Sequence, residues 1–445
     1  MTKERRDGLV LLLLGAVMFL VIGIAWKHLS PIANGDFKVV YLSARCLLRH
    51  GDPYSQVDVS RVYLGELAEH SSDTATSRQV MTRYFYPPTA FIVTVPFALI
   101  GFEAGHVLWT ILSASLLIVA AVLMWDLAAD DAPRISGALL GLFLMNSFWL
   151  FMIGNSAGIV VSLCVIAVWC FLKDRCITVG ISCLAISLAL KPHDSGMVWL
   201  FFLLAGGAFR KRALQSLIVL VALSVPAVLW VTHAGPHWIK EMNANMSSFS
   251  GVGGITDPAA TGTAGRNMDS LVQLQSAVSI FWDDPQIYNW ITYVICGALI
   301  LVWVFATLRF PPSKPRTWLA LAVIAPLSML PTYHMQHDAK LLLLAVPACA
   351  MMWASGGKPG KLAIVVTGAA IVINGDIFSA LRITLTHRFI VPQPHLLSEA
   401  LTVLLTRPAP LILLVTAGFY LWIYVRYPLS SAVETQSEIG TPSPI

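Results

Sequence analysis

One acidic residue, Asp36, stands in the sequence NGDF between an apolar run and a segment with helical spacing. An aspartate in front of a helix accepts hydrogen bonds from free backbone amides, and from spacing alone this capping role is the preferred interpretation. The alternative interpretation is catalytic. A carboxylate at a membrane–water boundary is partly desolvated, which raises its pKa toward the range of a general base.

Lys191 begins the short polar segment KPH between two apolar runs, and His193 ends it. One interpretation is a lysine that extends its ammonium group to the membrane surface, as is common at helix ends. The other is a cation that binds phosphate, with His193 in a supporting role. Lysine is uncommon in short loops on the outer side of a membrane, which favours a specific role for Lys191. The residues alone leave both interpretations open.

His334 and His337 lie three residues apart in YHMQHDAK, so they can share one face of a helix. The pair invites a metal-site interpretation, but the motif lacks the glutamate of zinc proteases and suggests no third ligand nearby. A solvated helix end is an equally ordinary explanation. The preferred hypothesis is that one histidine hydrogen-bonds a polar ligand, with no metal, and that Lys340 pairs with Asp338.

Arg266 and Asn267 follow a stretch rich in glycine, serine and threonine, SSFSGVGGITDPAATGTAG. This stretch is either an ordinary loop that re-enters ordered structure through a helix cap, or a lid with glycine hinges that covers an acceptor. The sequence does not separate these two hypotheses.

The composition indicates what positions these residues. Of 445 residues, 57% are hydrophobic and 12% are charged, whereas ordinary soluble proteins have about 25% charged residues. This excludes a soluble globular enzyme and indicates an all-α polytopic membrane protein. The net charge of +5 gives no support for nucleic-acid binding. Seven cysteines without a CxxC pair favour buried thiols over disulfides or zinc.

Twelve apolar runs predict about 12 transmembrane helices, the first of them an uncleaved signal anchor. The first run covers 9–26, and the others are centred near residues 115, 143, 163, 183, 202, 222, 296, 324, 346, 369 and 416. Basic residues recur in alternate connections, which places both termini in the cytoplasm. We therefore predict one transmembrane domain, 1–426, with long outer loops at 27–85 and 233–285, and a disordered cytoplasmic tail, 427–445.

Residues 86–101, YPPTAFIVTVPFALIG, do not fit this alternation. The segment is apolar but short and contains three prolines, and counting it as a span would place three basic clusters outside. We predict a short re-entrant or interfacial hairpin on the outer side. In the first outer loop, VVYLSARCLLRHG has the spacing of an amphipathic helix on the membrane surface, where Arg45 contacts anionic lipid or orders Asp36.

Several segments in order resemble the family 87 glycosyltransferases, polytopic enzymes of the GT-C class. They are NGDFKVVYLSARCLLRHGDPY, FYPPTAFIVTVPF, GNSAGIVVSLCVIAVW, SLALKPH, RNMDSLVQL and YHMQHDAKLLLLAVP. The likeness runs from Asp36 to about Pro347. One departure is visible: the family often has Gly-Gln where this chain has Gly154–Asn155, a change that keeps an amide side chain.

The resemblance implies transfer of a hexose, such as mannose, from a polyprenyl-phosphate donor to a glycan or glycolipid hydroxyl outside the inner membrane. It makes Asp36 the catalytic base and strengthens the interpretation of Lys191 as a ligand of the donor phosphate. We predict His334 and His337 as further donor-phosphate ligands and Asn155 as a supporting residue. The resemblance implies no metal or other cofactor. The alternatives are a flippase or transporter for lipid-linked sugars, which is expected to have repeated halves and a binding site at the membrane midplane, and a ligase that uses a diphosphate-linked donor.

Overall fold

The computed structural model describes residues 1–29, 35–67, 75–254, 256–259, 270–389 and 396–438. These residues confirm the all-α class: they form helices and one isolated β-bridge, between Leu271 and Met335. The helices are α1 Lys3–Leu29, α2 Gly35–Leu48, α3 Gln56–Glu66, α4 Ala75–Met81, α5 Phe91–Ala98, α6 Phe102–Ala128, α7 Pro133–Met145, α8 Trp149–Ile153, α9 Ala157–Lys173, α10 Ile177–Leu190, α11 Pro192–Ala205, α12 Gly207–Ala234, α13 Trp238–Ser250, α14 Gln275–Val278, α15 Pro285–Arg309, α16 Lys314–Leu327, α17 Val346–Ala354, α18 Gly357–Ile373, α19 Asp376–Phe389, α20 Leu396–Thr406 and α21 Pro408–Glu438. Two 3-10 segments, Pro88–Ala90 and Gln336–Ala345, precede α5 and α17.

Within the described ranges, seven helices are long and apolar enough to cross a membrane. They are Lys3–His28, Phe102–Ala128, Pro133–Ile153, Gly207–Ala234, Pro285–Arg309, Gln336–Ala354 and Pro408–Arg426. The pair Gly357–Ile373 and Asp376–Arg382, bent by 60°, forms an eighth candidate. The chain is therefore a multi-pass membrane protein, and the predicted count of twelve stays a prediction.

The other predicted spans are also helices, but they are short. α10, α11 and α16 have 14 residues each, which is about 21 Å of helix against a hydrocarbon core of about 30 Å. Most side chains of α9 and nearly all of α16 are buried. By contrast, α12 and α15 expose apolar side chains such as Leu229 and Leu301. The shorter helices α9 and α16 thus lie mostly in the interior, and the long helices α12 and α15 present apolar surface suited to lipid.

The loops sort to two ends of the bundle, as the charge alternation predicts. At the start of α6, Lys27 Nζ lies 3.3 Å from His106 Nδ1. Near its other end, Asp126 lies 3.9 Å from Arg5 and 3.1 Å from Lys173. His106 and Asp126 are about 30 Å apart along the helix. The basic N-terminus and the α9–α10 connection therefore share one end, and the C-terminus of α1 lies at the other.

The two long loops pack against each other at that second end. Asn245 Nδ2, in α13, donates hydrogen bonds of 2.9 Å to the carbonyl oxygens of Tyr54 and Tyr84. Gly235, which follows α12, lies so close to Asp52 that a Cβ there would stand 2.2 Å from its carboxyl carbon. Both loops therefore lie on the same side of the bundle.

The segment 86–101 forms the 3-10 turn Pro88–Ala90 and the short helix α5, followed by a turn into α6. The helical part spans about 16 Å, which is too short to cross a membrane, in line with the non-spanning segment predicted, although a single helix replaces the expected hairpin. The predicted amphipathic helix is α2, but nine of its 14 residues are buried. Protein covers most of α2, and its predicted position on the outer membrane surface stays a prediction.

The contact between α1 and α7 is unusually close. A Cβ at Gly15 would stand 2.3 Å from the Gly141 Cα, and one at Gly141 would stand 2.5 Å from the Leu11 carbonyl oxygen. Small residues at membrane helix contacts let backbones approach in this way. α2, which carries Asp36, follows α1, and Asn155 lies just after α8, which follows α7. This contact therefore holds together the two helices that precede the Asp36 and Asn155 segments.

At the other end of the chain, α21 continues to Glu438. The helix therefore includes 427–438, and the disordered cytoplasmic tail predicted for 427–445 stays a prediction.

Candidate active site

Asp36 lies in the first turn of α2, inside the helix rather than in front of it. Its Oδ2 accepts a hydrogen bond of 2.6 Å from Asn155 Nδ2. The Asn155 side chain is buried, and its Oδ1 accepts a hydrogen bond of 2.7 Å from the Ala157 backbone amide at the start of α9. The amide is therefore held at both ends, and its N–H is aimed at the carboxylate.

The turn before α9 explains why Asn155 reaches Asp36. Gly154 ends α8 with φ of 65°, a left-handed conformation that favours glycine. A Cβ at Gly154 would stand 2.8 Å from the Phe37 Cβ. The Gly154 carbonyl oxygen accepts a 2.9 Å hydrogen bond from Trp109 Nε1. A glycine is thus required both for the backbone angle and for the approach of α2.

Tyr86 connects the Asp36 region with Lys191. Its hydroxyl lies 3.4 Å from Ser156 Oγ, next to Asn155 in the chain. Burial raises the pKa of Tyr86 to about 12, and the charges of Lys191 and Asp36 act on the same hydroxyl with opposite signs. Asp36 and Lys191 therefore both lie close enough to Tyr86 for their charges to act on its hydroxyl, and we call this shared region one electrostatic neighbourhood. It lies at one end of the bundle.

Lys191 separates α10 from α11 with φ of −144° and ψ of 87°. The following residue is Pro192, and the residue before a proline is pushed out of the helical region. The side chain is buried and donates a hydrogen bond of 2.6 Å to Asp338 Oδ1. Its Nζ also lies 3.6 Å from Asp194 Oδ2. Burial alone would lower the pKa of Lys191, but these two carboxylates outweigh it and hold the pKa above its usual value.

Two of the predicted histidines join the Lys191 cluster directly. His334 Nε2 lies 3.3 Å from Asp194 Oδ1, and His193 Nε2 lies 3.6 Å from the same atom. Burial alone would lower the pKa of His334, but Asp194 outweighs it and raises the pKa above its usual value. His337 is also buried, with Nε2 3.8 Å from Asp338 Oδ1. The two histidines of YHMQHD therefore contact different carboxylates.

The expected pairing of Lys340 with Asp338 is wrong. Asp338 pairs with Lys191, while Lys340 Nζ lies 3.5 Å from Asp376 Oδ1 and 3.2 Å from the Asn146 carbonyl oxygen. The 3-10 segment explains the exchange, because two positions along a helix of three residues per turn point to different neighbours.

Arg45 lies nine residues after Asp36 on α2 and is not part of this cluster. Its Nε donates a 2.8 Å hydrogen bond to Glu66, and its Nη1 donates another of 2.8 Å to the Ala98 carbonyl oxygen. Any support that Arg45 gives to Asp36 acts through the position of α2. Arg266 and Asn267 lie outside the described residues.

Sequence reasoning did not single out Tyr86 or Asp194. Asp194 lies in the first turn of α11, where an acid is expected as a partner of the helix dipole. The KPHD sequence places it three residues from Lys191, which is the one local sign of an ion pair. Tyr86 has no comparable sign, because a tyrosine in an apolar segment is usually part of the core.

The arrangement thus combines a partly exposed carboxylate with a largely buried cluster of one lysine, two acids and three histidines. A sequence model of glycosyltransferase family 87 matches residues 84–332, more than half of the chain. The chain belongs to glycosyltransferase family 87. No curated protein matches the chain.

Membership in family 87 confirms the resemblance identified from the sequence and makes this protein a membrane glycosyltransferase. The matched range contains Tyr86, Asn155, Lys191 and Asp194. Asp36 and the histidines of YHMQHD lie outside it, so their roles depend on the geometry described above.

We expect Asn155 to be a positioning residue of this family 87 enzyme. Replacing Asn155 with Ala removes a hydrogen bond to a charged group, worth about 1.5–3 kcal/mol, so kcat for sugar transfer falls about ten- to a hundredfold. The KM for the donor changes little. Asn155→Gln keeps the amide group and restores most of the rate. Equal kcat in the Ala and Gln variants, at equal thermal stability, would contradict this role.

Proposed function

We propose that this enzyme transfers a hexose from a polyprenyl-phosphate donor to a hydroxyl group of a glycan or glycolipid. The observation that carries the proposal is the placement of Asp36, fixed by Asn155, in the same electrostatic neighbourhood as Lys191. The Asp36 carboxylate is suited to accept a proton, and the Lys191 ammonium group is suited to bind an anion. Mannose is the hexose that the family resemblance favours.

The reaction we propose is a single displacement with Asp36 as general base. The acceptor oxygen attacks the anomeric carbon and loses its proton to Asp36, while the bond from that carbon to the phosphate oxygen breaks. The electron pair of the broken bond leaves with the lipid phosphate. Because this monophosphate is already an anion, the step needs no general acid and no metal in principle.

Lys191, His334 and His337 are the groups we propose to face the donor phosphate, with His193 beside them. The Lys191 charge is already balanced by Asp194 and Asp338. Donor binding therefore calls for a partial shift of the ammonium group from a carboxylate to the phosphate. Such an exchange keeps every charge paired, which avoids the cost of an isolated buried ion.

The lipid tail of the donor gives a reason for the membrane fold. A prenyl chain has to enter between helices from the bilayer, while its sugar stays at the polar end of the bundle. We propose that this end faces the exterior of the inner membrane and that both termini are cytoplasmic, because the basic connections lie at the opposite end. Arg266 and Asn267 remain the proposed acceptor-side residues.

Purified enzyme in detergent, incubated with radiolabelled polyprenyl-phosphate mannose and lipid extract, tests the proposal. We expect a new labelled glycolipid or glycan and release of polyprenyl phosphate. A polyprenyl-diphosphate sugar at the same concentration is expected to give at least tenfold less product. Preference for the diphosphate donor would overturn the proposal in favour of a ligase. Movement of the donor across the membrane of vesicles reconstituted with the enzyme, without a new covalent product, would overturn it in favour of a flippase.

A further inference from the structure

Two segments of the chain place two imidazole nitrogens beside one carboxylate oxygen, Asp194 Oδ1, which gives three potential metal ligands. His334 Nε2 lies 3.3 Å and His193 Nε2 lies 3.6 Å from this oxygen, and all three ligand atoms are within 4.8 Å of one another. Atoms that share one metal ion at about 2.0–2.2 Å stand about 2.8–3.6 Å apart. Both separations from Oδ1 fall in this range. The sequence alone does not indicate this triad, because His193 and Asp194 lie in one segment of the chain and His334 lies in another.

Three polar atoms of Asp194 and His334 lack hydrogen bonds. Both carboxylate oxygens of Asp194 and Nε2 of His334 are buried without a hydrogen bond in the described part of the chain. Asp194 is 1% exposed and His334 is fully buried. Buried polar atoms are nearly always hydrogen-bonded. Asp194 Oδ1 and His334 Nε2 face each other at 3.3 Å without a hydrogen bond, which points to a missing partner between them.

The orientation of the side chains favours a cation. His334 Nδ1 lies 3.1 Å from the Thr332 carbonyl oxygen. Metal-binding histidines usually donate their second ring N–H to such an acceptor, which leaves the other nitrogen free for the ion. Asp194 directs Oδ2 at Lys191 and Oδ1 at the two imidazoles. The His193 side chain is 40% exposed, so the site is accessible from outside.

The charge balance also favours a cation. Lys191 forms its shorter contact, 2.6 Å, with Asp338, and its contact with Asp194 is 3.6 Å. One lysine and two carboxylates leave a net charge of −1 on these three side chains. Two imidazoles and a carboxylate are ligands suited to Zn²⁺ and its transition-metal neighbours.

We propose that His193, Asp194 and His334 bind a divalent transition-metal ion such as Zn²⁺. Three protein ligands leave at least one coordination position open. The site goes beyond the proposed function, because proton transfer to Asp36 does not depend on a metal. We further propose that an anionic oxygen of the donor phosphate occupies the open coordination position. This second part of the proposal rests on the proposed function.

Metal binding to the full-length enzyme, without substrate, tests the site directly. After chelator treatment, titration calorimetry with Zn²⁺ is expected to give one saturable site per chain, and Co²⁺ is expected to give visible absorption bands from nitrogen and oxygen ligands. His193→Ala weakens Zn²⁺ binding at least tenfold and removes the Co²⁺ bands. His237→Ala changes neither, because His237 is an exposed histidine in the outer loop 233–285.

The outcomes separate this site from sugar transfer. An absence of saturable Zn²⁺ binding, or equal affinity in wild type and His193→Ala, overturns the metal site and leaves the role of Asp36 unaffected. Asp194→Asn provides a second variant of nearly unchanged size, and it is also expected to lose at least tenfold in affinity. Asp36→Asn is expected to bind Zn²⁺ as wild type does, even where it transfers no sugar.

Discussion

Asp36→Asn is expected to lower kcat for sugar transfer about 10²- to 10⁴-fold, the usual contribution of general base catalysis. Asparagine has the size of aspartate, and its side-chain oxygen can still accept the hydrogen bond from Asn155 Nδ2. It cannot take a proton from the acceptor hydroxyl. The KM for the donor should stay within about threefold, because the phosphate-binding groups are unchanged. Initial rates with radiolabelled donor measure both constants.

Glu103→Gln is the matched control for Asp36→Asn. Glu103 is an exposed acid in the first turn of α6, at the same end of the bundle as Asp36. Neutralising Glu103 removes a carboxylate without changing Asp36 or the Lys191 cluster, so sugar transfer should continue at the wild-type rate. A folded Asp36→Asn enzyme with wild-type kcat would show that another group takes the proton.

The second large effect concerns stability. Lys191→Met removes the cation between Asp194 and Asp338, both almost fully buried. Breaking a buried ion pair by removing one partner costs about 3–5 kcal/mol of unfolding free energy, because the remaining charge stays uncompensated. Reversible unfolding in mixed detergent, or the midpoint of thermal unfolding, measures the loss. Lys173→Met is the control: its pair with Asp126 is partly exposed and should contribute about 0–1 kcal/mol.

A double variant distinguishes charge balance from phosphate binding. Lys191→Met combined with Asp338→Asn removes one charge of each sign, so we expect it to regain most of the lost stability. If the lysine also binds the donor phosphate, the stable double variant still has a raised KM for the donor and an unchanged KM for the acceptor. Full recovery of both constants would assign Lys191 a purely structural role.

Much of the fold can be predicted from the sequence because it depends on local patterns. The apolar runs locate the helices, and the alternation of basic loops correctly places Asp36 and Lys191 at the end opposite Arg5. Pro192 similarly accounts for the break at which Lys191 leaves the helix. The apolar pattern does not determine helix length, since buried and lipid-facing helices are equally hydrophobic. That is why 14-residue interior helices such as α16 look like spans.

The partners within the site are much harder to predict. Asp338 was expected beside Lys340, its neighbour on the chain, yet it pairs with Lys191. Asp194 contacts His334, more than a hundred residues away. Such pairs depend on which helices become neighbours, and a single sequence contains no signal for that. For the same reason, the sequence does not predict that His193, Asp194 and His334 lie close together.

The separation of Lys191 and Asp338 by 147 residues has a consequence for biogenesis. At about 5–20 residues per second, the ribosome needs about 7–30 s to deliver the aspartate after the lysine. During that interval Asp194, three positions downstream, is already available to accompany the lysine into the translocon. The late arrival of Asp338 then completes the pair, so the Lys191 cluster is complete only after roughly three-quarters of the polypeptide has been translated.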